Sequence, residues 1–163
     1  MQGTSQSTSL DSKTSTIKET PSLLHTIDVI LLILLAGQFL IGMLVNLYVQ
    51  VPSVHPGRKA PEYFSGVFQG VSWALFNAQW QLLIHVVVGL LLFVLSIVLL
   101  VLAIIARQGR WITVSVLGFL GIVAAGFNGA SFMNYGEDFS SLLMAVAFLL
   151  AASSYTIGIS FKR

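Results

Sequence analysis

Four long apolar runs, about 23–49, 79–106, 111–133 and 138–161, constrain this chain more than any other feature. Each reaches the roughly 20 residues that a helix needs to cross the hydrocarbon of a bilayer. The expected fold is therefore all-α: a polytopic membrane protein whose four transmembrane helices form a bundle. With 163 residues, little chain remains for an independent soluble domain, so residues 22–163 are read as one membrane domain. Composition agrees, since 56% of residues are hydrophobic, only 9% are charged and the mean hydropathy is +0.89. The bilayer is the first partner this predicts.

Charge excludes other partners and sets an expected topology. A net charge of +2 without a basic patch gives no footprint for nucleic acid. The absence of cysteine removes disulfides, thiol chemistry, iron–sulfur clusters and Cys-based zinc sites. Lys13, Lys18, Arg107, Arg110, Lys162 and Arg163 fall on one side of the four spans, whereas Arg58 and Lys59 fall on the other. The positive-inside rule then places both termini inside, with the cytoplasmic membrane as the expected location. Trp73, Trp80 and Tyr135 fall at the outer boundary of this arrangement, and Trp111 and Tyr155 at the inner one, as interfacial anchors.

The first 21 residues are rich in Ser and Thr and end at Pro21; this composition predicts a disordered polar tail. The first apolar run starts too late for a signal peptide and is long enough to span, so it reads as a retained first helix. The only long connection, about 50–78, begins with Pro52, Pro56, Gly57 and Pro61, which disfavour helix. From Pro61, expected at the first helical position with Glu62 beside the positive helix end, Phe64, Val67, Phe68, Val71 and Leu75 recur at helical steps. A short amphipathic helix on the outer face is predicted.

Within the spans, polar and small residues fall on faces. Gln38, Gly42, Asn46 and Gln50 follow at steps of four in the first, on the side of Asp28, and Gln81, His85, Gly89, Ser96 and Ala103 share a sector of the second. Gly118, Gly121, Ala125 and Gly129 line the third; Ala147, Ala151, Ser154 and Gly158 line the fourth. Such faces let helix backbones approach closely in lipid.

By depth, Asn46, Gln81, His85, Asn128, Ser131 and Asn134 all fall in the outer half, with His85, Asn46 and Asn128 expected to approach one another. This is the candidate site, because polar groups in a membrane must meet each other, water or a ligand. Interhelical hydrogen bonding is the structural reading of the same residues. His85 is the pivot, since imidazole binds metals, ligates haem or exchanges protons. A haem b or copper site would need a second ligand, for which Met43, Met133 or a folded-back His55 are the weak candidates and Met144 a further one for copper; no cofactor is predicted outright. Asp28, near His25 and a turn or so inside the inner boundary, is expected to be interfacial and watered. Glu137 and Asp138 are read as N-terminal caps of the fourth helix and Gly136 as the preceding C-cap. Ser140, Ser141, Ser153 and Ser154 lack a His or acid at helical spacing that would mark a nucleophile.

Three function classes follow. A non-enzymatic subunit or accessory protein, packing against a partner membrane protein or a second copy of itself, ranks first. A redox bundle built on His85 and a transporter or channel component rank behind it. The topology is tested by fusing a reporter after Arg163: activity on the cytoplasmic side is expected, and activity confined to the exterior would overturn the charge-based orientation.

Overall fold

The structure, a computed structural model, describes residues 5–161 and the side chains of 22–161. It consists of five helices, α1 (Ser5–Tyr48), α2 (Tyr63–Asn77), α3 (Trp80–Ile105), α4 (Gly109–Tyr135) and α5 (Asp138–Ile159), and there is no strand among the described residues. Four of them carry apolar stretches long enough to cross a membrane: Ser22–Tyr48, Trp80–Ile105, Gly109–Tyr135 and Asp138–Ile159. These limits lie within about two residues of the expected spans, because the apolar runs end abruptly in polar or glycine-containing connectors.

The expected polar tail differs in part. Residues 1–4 lie outside the described residues, but from Ser5 the backbone is helical and continuous with α1, through Pro21. Extending a helix that the apolar run has already nucleated costs far less than starting one, so a segment too polar to fold alone can continue the span.

The helices pack as a ring in which α1 touches α3 and α5, and α4 touches α3 and α5, while α2 lies against α3 and α4 at the loop end of the bundle. Two of these helices carry seams with alternating steps of three and four. On α1 the seam is Leu24, Asp28, Leu31, Leu35, Gln38 and Gly42; on α3 it is Leu82, His85, Gly89, Leu92, Ser96, Leu99 and Ala103. This 3.5-residue period is that of helices crossing at a small angle with interlocking side chains. The register is fixed by two contacts: a Cβ on Gly42 would lie 3.1 Å from His85 Cε1, and one on Gly89 would lie 3.4 Å from Gln38 Nε2. Carried along the antiparallel pair, that register sets Leu35 opposite Leu92 and Leu24 opposite Ala103, all members of one buried core.

The α4–α5 pair is the most intimate. A Cβ on Gly121 would lie 2.7 Å from the Ala147 carbonyl oxygen and 2.9 Å from Ala151 Cβ, so the two backbones are almost in contact. Nearer the terminal end, Gly118 leaves room for the ring of Tyr155. Tyr155 is therefore fully buried, and Trp111 is buried against Phe161 with ring centroids 5.3 Å apart. Neither is the boundary anchor expected from its position along the chain. A helical side chain leans toward its own N-terminus, so Tyr155 reaches back into the bundle rather than out to the surface. Trp80, by contrast, is exposed.

At the ends, Gly136 adopts φ 71° as the C-cap of α4, as expected. Glu137 is the N-cap of α5 without a side-chain capping bond. The α2 cap is more complete: Glu62, not Pro61, marks its start, and the carboxylate accepts from Phe64 N at 3.1 Å and Ser65 N at 2.5 Å. The buried face of α2 is Gly66, Val67, Gly70 and Ala74, whereas Phe64, Phe68 and Phe76 point outward. Close approach of a small-residue face, rather than burial of the aromatic one, thus docks α2.

Replacing Gly121 by Leu should drive α4 and α5 apart. A loss of about 3 kcal/mol or of the folded bundle is expected, on the scale of severe overpacking. Thermal unfolding in detergent, read by Trp fluorescence, checks this.

Candidate functional site

His85 lies in the loop half of the bundle, where α3 faces α1. Its partner is Gln38, whose Nε2 donates to the His85 carbonyl oxygen at 3.0 Å and lies 3.3 Å from the ring Nε2. A carbonyl only accepts, so the amide nitrogen must be the atom turned toward it. In a neutral ring bonded to that same amide, Nε2 then accepts and Nδ1 carries the proton. The pair is accommodated reciprocally, His85 against Gly42 and Gln38 against Gly89. Three polar atoms here are buried without a hydrogen-bond partner: His85 Nδ1, Gln38 Oε1 and, one turn toward the loop, Gln81 Oε1.

The remaining members of the expected site are not joined to this pair by hydrogen bonds among the described residues. Asn128 donates back to the Ala124 carbonyl of its own helix at 2.8 Å. Ser131 pairs with the Tyr63 hydroxyl at 2.8 Å, and Asn134 donates to the Gly66 carbonyl at 2.9 Å. Asn134 also accepts from Lys59 N at 3.3 Å through its backbone, while the Tyr135 hydroxyl donates to the Ala60 carbonyl. These residues fasten α2 and its preceding loop to α4. Asn46 is exposed. His55 is buried in the loop, stacked on Trp73 at 4.8 Å with Nδ1 2.9 Å from the Pro56 carbonyl oxygen. It is thus held by the loop itself. Of the methionines, Met43 is exposed, Met133 packs toward Gly70, and Met144 toward Gly129. Among the described residues no three His, Asp or Glu side chains converge as a metal site.

A second polar group lies in the terminal half. Asp28 was expected at a watered boundary, yet it is 0% exposed and neither carboxylate oxygen has a hydrogen-bond partner. The reason is its place on the α1 seam between Leu24 and Leu31, which turns it toward α5, where a Cβ on Gly158 would lie 2.7 Å from both oxygens. One turn back on α5 is Tyr155, whose hydroxyl is also buried and unpartnered, as is Ser115 Oγ on α4. The sequence signal for this was the alternating step of four and three through Leu24, Asp28, Leu31 and Leu35, which marks a bundle-facing position irrespective of depth.

Two shallow surface clefts are present, one lined in part by Arg110, Trp111 and Phe161 and one by Phe68, Trp73 and Asn77, and neither is lined by His85 or Asp28. Comparison with known proteins finds no matching family model, no matching curated protein and no matching solved structure.

Gln38→Leu, which keeps the bulk and removes the amide, should destabilise the bundle by about 1 kcal/mol. The imidazole NMR resonances of His85 should shift with it; unchanged resonances would show that the two side chains do not meet.

Proposed function

We propose that this protein is a small multi-pass membrane subunit or accessory protein without enzymatic activity of its own, which packs against a partner membrane helix. Both termini face the cytoplasm and the cytoplasmic membrane is its location, a reading supported by the distribution of Lys and Arg between the two ends. The α2 segment then lies at the outer surface, with Phe64, Phe68 and Phe76 toward the headgroups.

The observation that carries the reading is the state of α1. Its seam is buried at Leu24, Asp28, Leu31 and Leu35, but from Ala36 to the end of the helix no residue is fully buried. The half-buried positions Gln38, Gly42, Val45 and Val49 continue the seam, and the amides of Asn46 and Gln50 beside it are exposed. α2 makes its main contacts with α3 and α4, and on α1 the side of Asn46 stays exposed. A helix laid along that side would gain a hydrogen bond to Asn46. Gly118, Gly121 and Gly129 of α4, by comparison, meet α5.

A cofactor-binding alternative is favoured only by His85 Nδ1, which is buried and unpartnered. It ranks second because, with Gln38 donating to Nε2, Nδ1 carries the ring proton and must lose it to ligate. An ultraviolet–visible spectrum and metal analysis of the purified protein and of His85→Ala address it directly.

A photo-crosslinking residue at position 46 in the protein's native membrane should give a discrete protein–protein adduct, whether with a second copy or with a different chain. The same probe at Val101, exposed on α3, should label lipid. Lipid adducts alone at both positions would overturn the subunit reading.

A further inference from the structure

We propose that Asp28, with Tyr155 and Ser115, forms an intramembrane binding site for one small monovalent cation, a proton or a dehydrated alkali-metal ion. The inference is independent of the partner-binding reading, because it concerns the opposite half of the bundle and a different set of residues.

Three helices contribute one side chain each. Asp28 comes from α1, Ser115 from α4 and Tyr155 from α5; all three are 0% exposed, and the Asp28 carboxylate oxygens, Ser115 Oγ and Tyr155 Oη all lack a hydrogen-bond partner. Glycine contacts relate their positions. Gly158, one turn after Tyr155, admits the Asp28 carboxylate, and Gly118, one turn after Ser115, admits the Tyr155 ring. Asp28 lies within electrostatic range of Tyr155.

This is an oxygen-only set bearing a single formal negative charge. A sealed carboxylate without a counter-charge is strongly disfavoured, and each orphaned hydroxyl adds a further cost. One positive charge taken up by the carboxylate removes the largest of these. A proton neutralises the acid. An alkali-metal ion is coordinated by carboxylate and hydroxyl oxygens, the ligand type that hard cations select. On the Gly158 side the carboxylate leaves no room even for a methyl group.

Among the described residues the titratable neighbours are few. Tyr155 faces Asp28 from α5, and His25, half-buried, lies one turn earlier on α1. By register α3 presents Leu99 and Ala103, and its charge, Arg107, lies beyond the helix end; α4 presents Ser115 and Gly118, with Arg110 in its first turn. Asp28 is six residues into its span, about 9 Å along the helix axis, so a ligand enters from the terminal end.

The test is the thermal midpoint of the full-length protein in nanodiscs, for wild type, Asp28→Asn and Tyr155→Phe. It is measured first across about pH 4 to 9 in choline chloride, then at fixed alkaline pH with sodium, potassium or lithium replacing choline. If the ligand is a proton, the wild-type midpoint falls by about 5 °C or more as pH rises and the acid loses its proton in place, while Asp28→Asn is flat. If the ligand is an alkali-metal ion, the wild-type midpoint rises with one of the three salts and Asp28→Asn does not respond. In either case Tyr155→Phe, which removes one oxygen and preserves the ring, weakens the response, by about tenfold in half-saturating concentration for a metal ion. Parallel behaviour of wild type and Asp28→Asn under both titrations would overturn the site. Should Asp28→Asn not fold, an unaltered response in Tyr155→Phe overturns the three-helix site on its own.

Discussion

The bundle depends on one recurring contact: a bulky or polar side chain on one helix set against a glycine on its neighbour. His85 meets Gly42, Gln38 meets Gly89, Asp28 meets Gly158, Tyr155 meets Gly118 and Asn134 meets Gly70. In water such groups could remain at the surface, with apolar burial driving association elsewhere. In lipid that drive is missing between helices, and adhesion comes from van der Waals contact and interhelical hydrogen bonds. A glycine allows both at once, since it brings the backbones together and opens the space that the large side chain fills. The distribution of glycine therefore sets which helices pair, in what register and at what level a polar group is tolerated.

Two levels of unsatisfied polar groups result, separated on α1 by leucines. On α1, Asp28 and Gln38 are ten residues apart, about 15 Å along the axis, and the seam positions between them are Leu31 and Leu35. Leu92 faces that stretch from α3 and belongs to the same core. The upper pair spans α1 and α3, and the lower group spans α1, α4 and α5. α1 is the helix common to both, so a tilt or shift of α1 against the others would reach both levels. That helix is also the only one of the four apolar helices without a fully buried residue in its loop half.

Much of this was legible in the sequence, but not uniformly. The four spans followed from apolar length, because a bilayer imposes a minimum that ordinary helix propensity does not. The small faces of α4 and α5 followed from residue size at helical spacing. Depth was the poorer guide. It placed Asp28, Trp111 and Tyr155 at a boundary, whereas their angular positions turn them into the bundle, and a side chain of tyrosine length on α5 leans deeper than its own Cα. It also grouped Asn128, Ser131 and Asn134 with His85, although hydrogen-bond partners are decided by which glycine or backbone carbonyl lies opposite. Gly66 and Gly70 of α2 supply the positions that receive Asn134, and nothing in the spacing of the third span reveals them.

Satisfaction of hydrogen bonds, rather than polarity, separates fastening from binding in such a bundle. Ser96, Asn128 and Ser154 return their donors to carbonyls of their own helices, and Ser131 spends its hydroxyl on Tyr63. These groups are finished and ask for no ligand. Gln81 and Asn134 each leave one carbonyl oxygen unpartnered, the less costly shortfall of a neutral amide. Asp28 is different in kind, since a carboxylate with both oxygens orphaned beside two orphaned hydroxyls is a deficit that the fold does not repay from its own atoms. Gly158 admits that carboxylate where the Cβ of an alanine would lie 2.7 Å from both oxygens, so the strongest unsatisfied chemistry among the described residues sits where α1 meets α5 through a glycine.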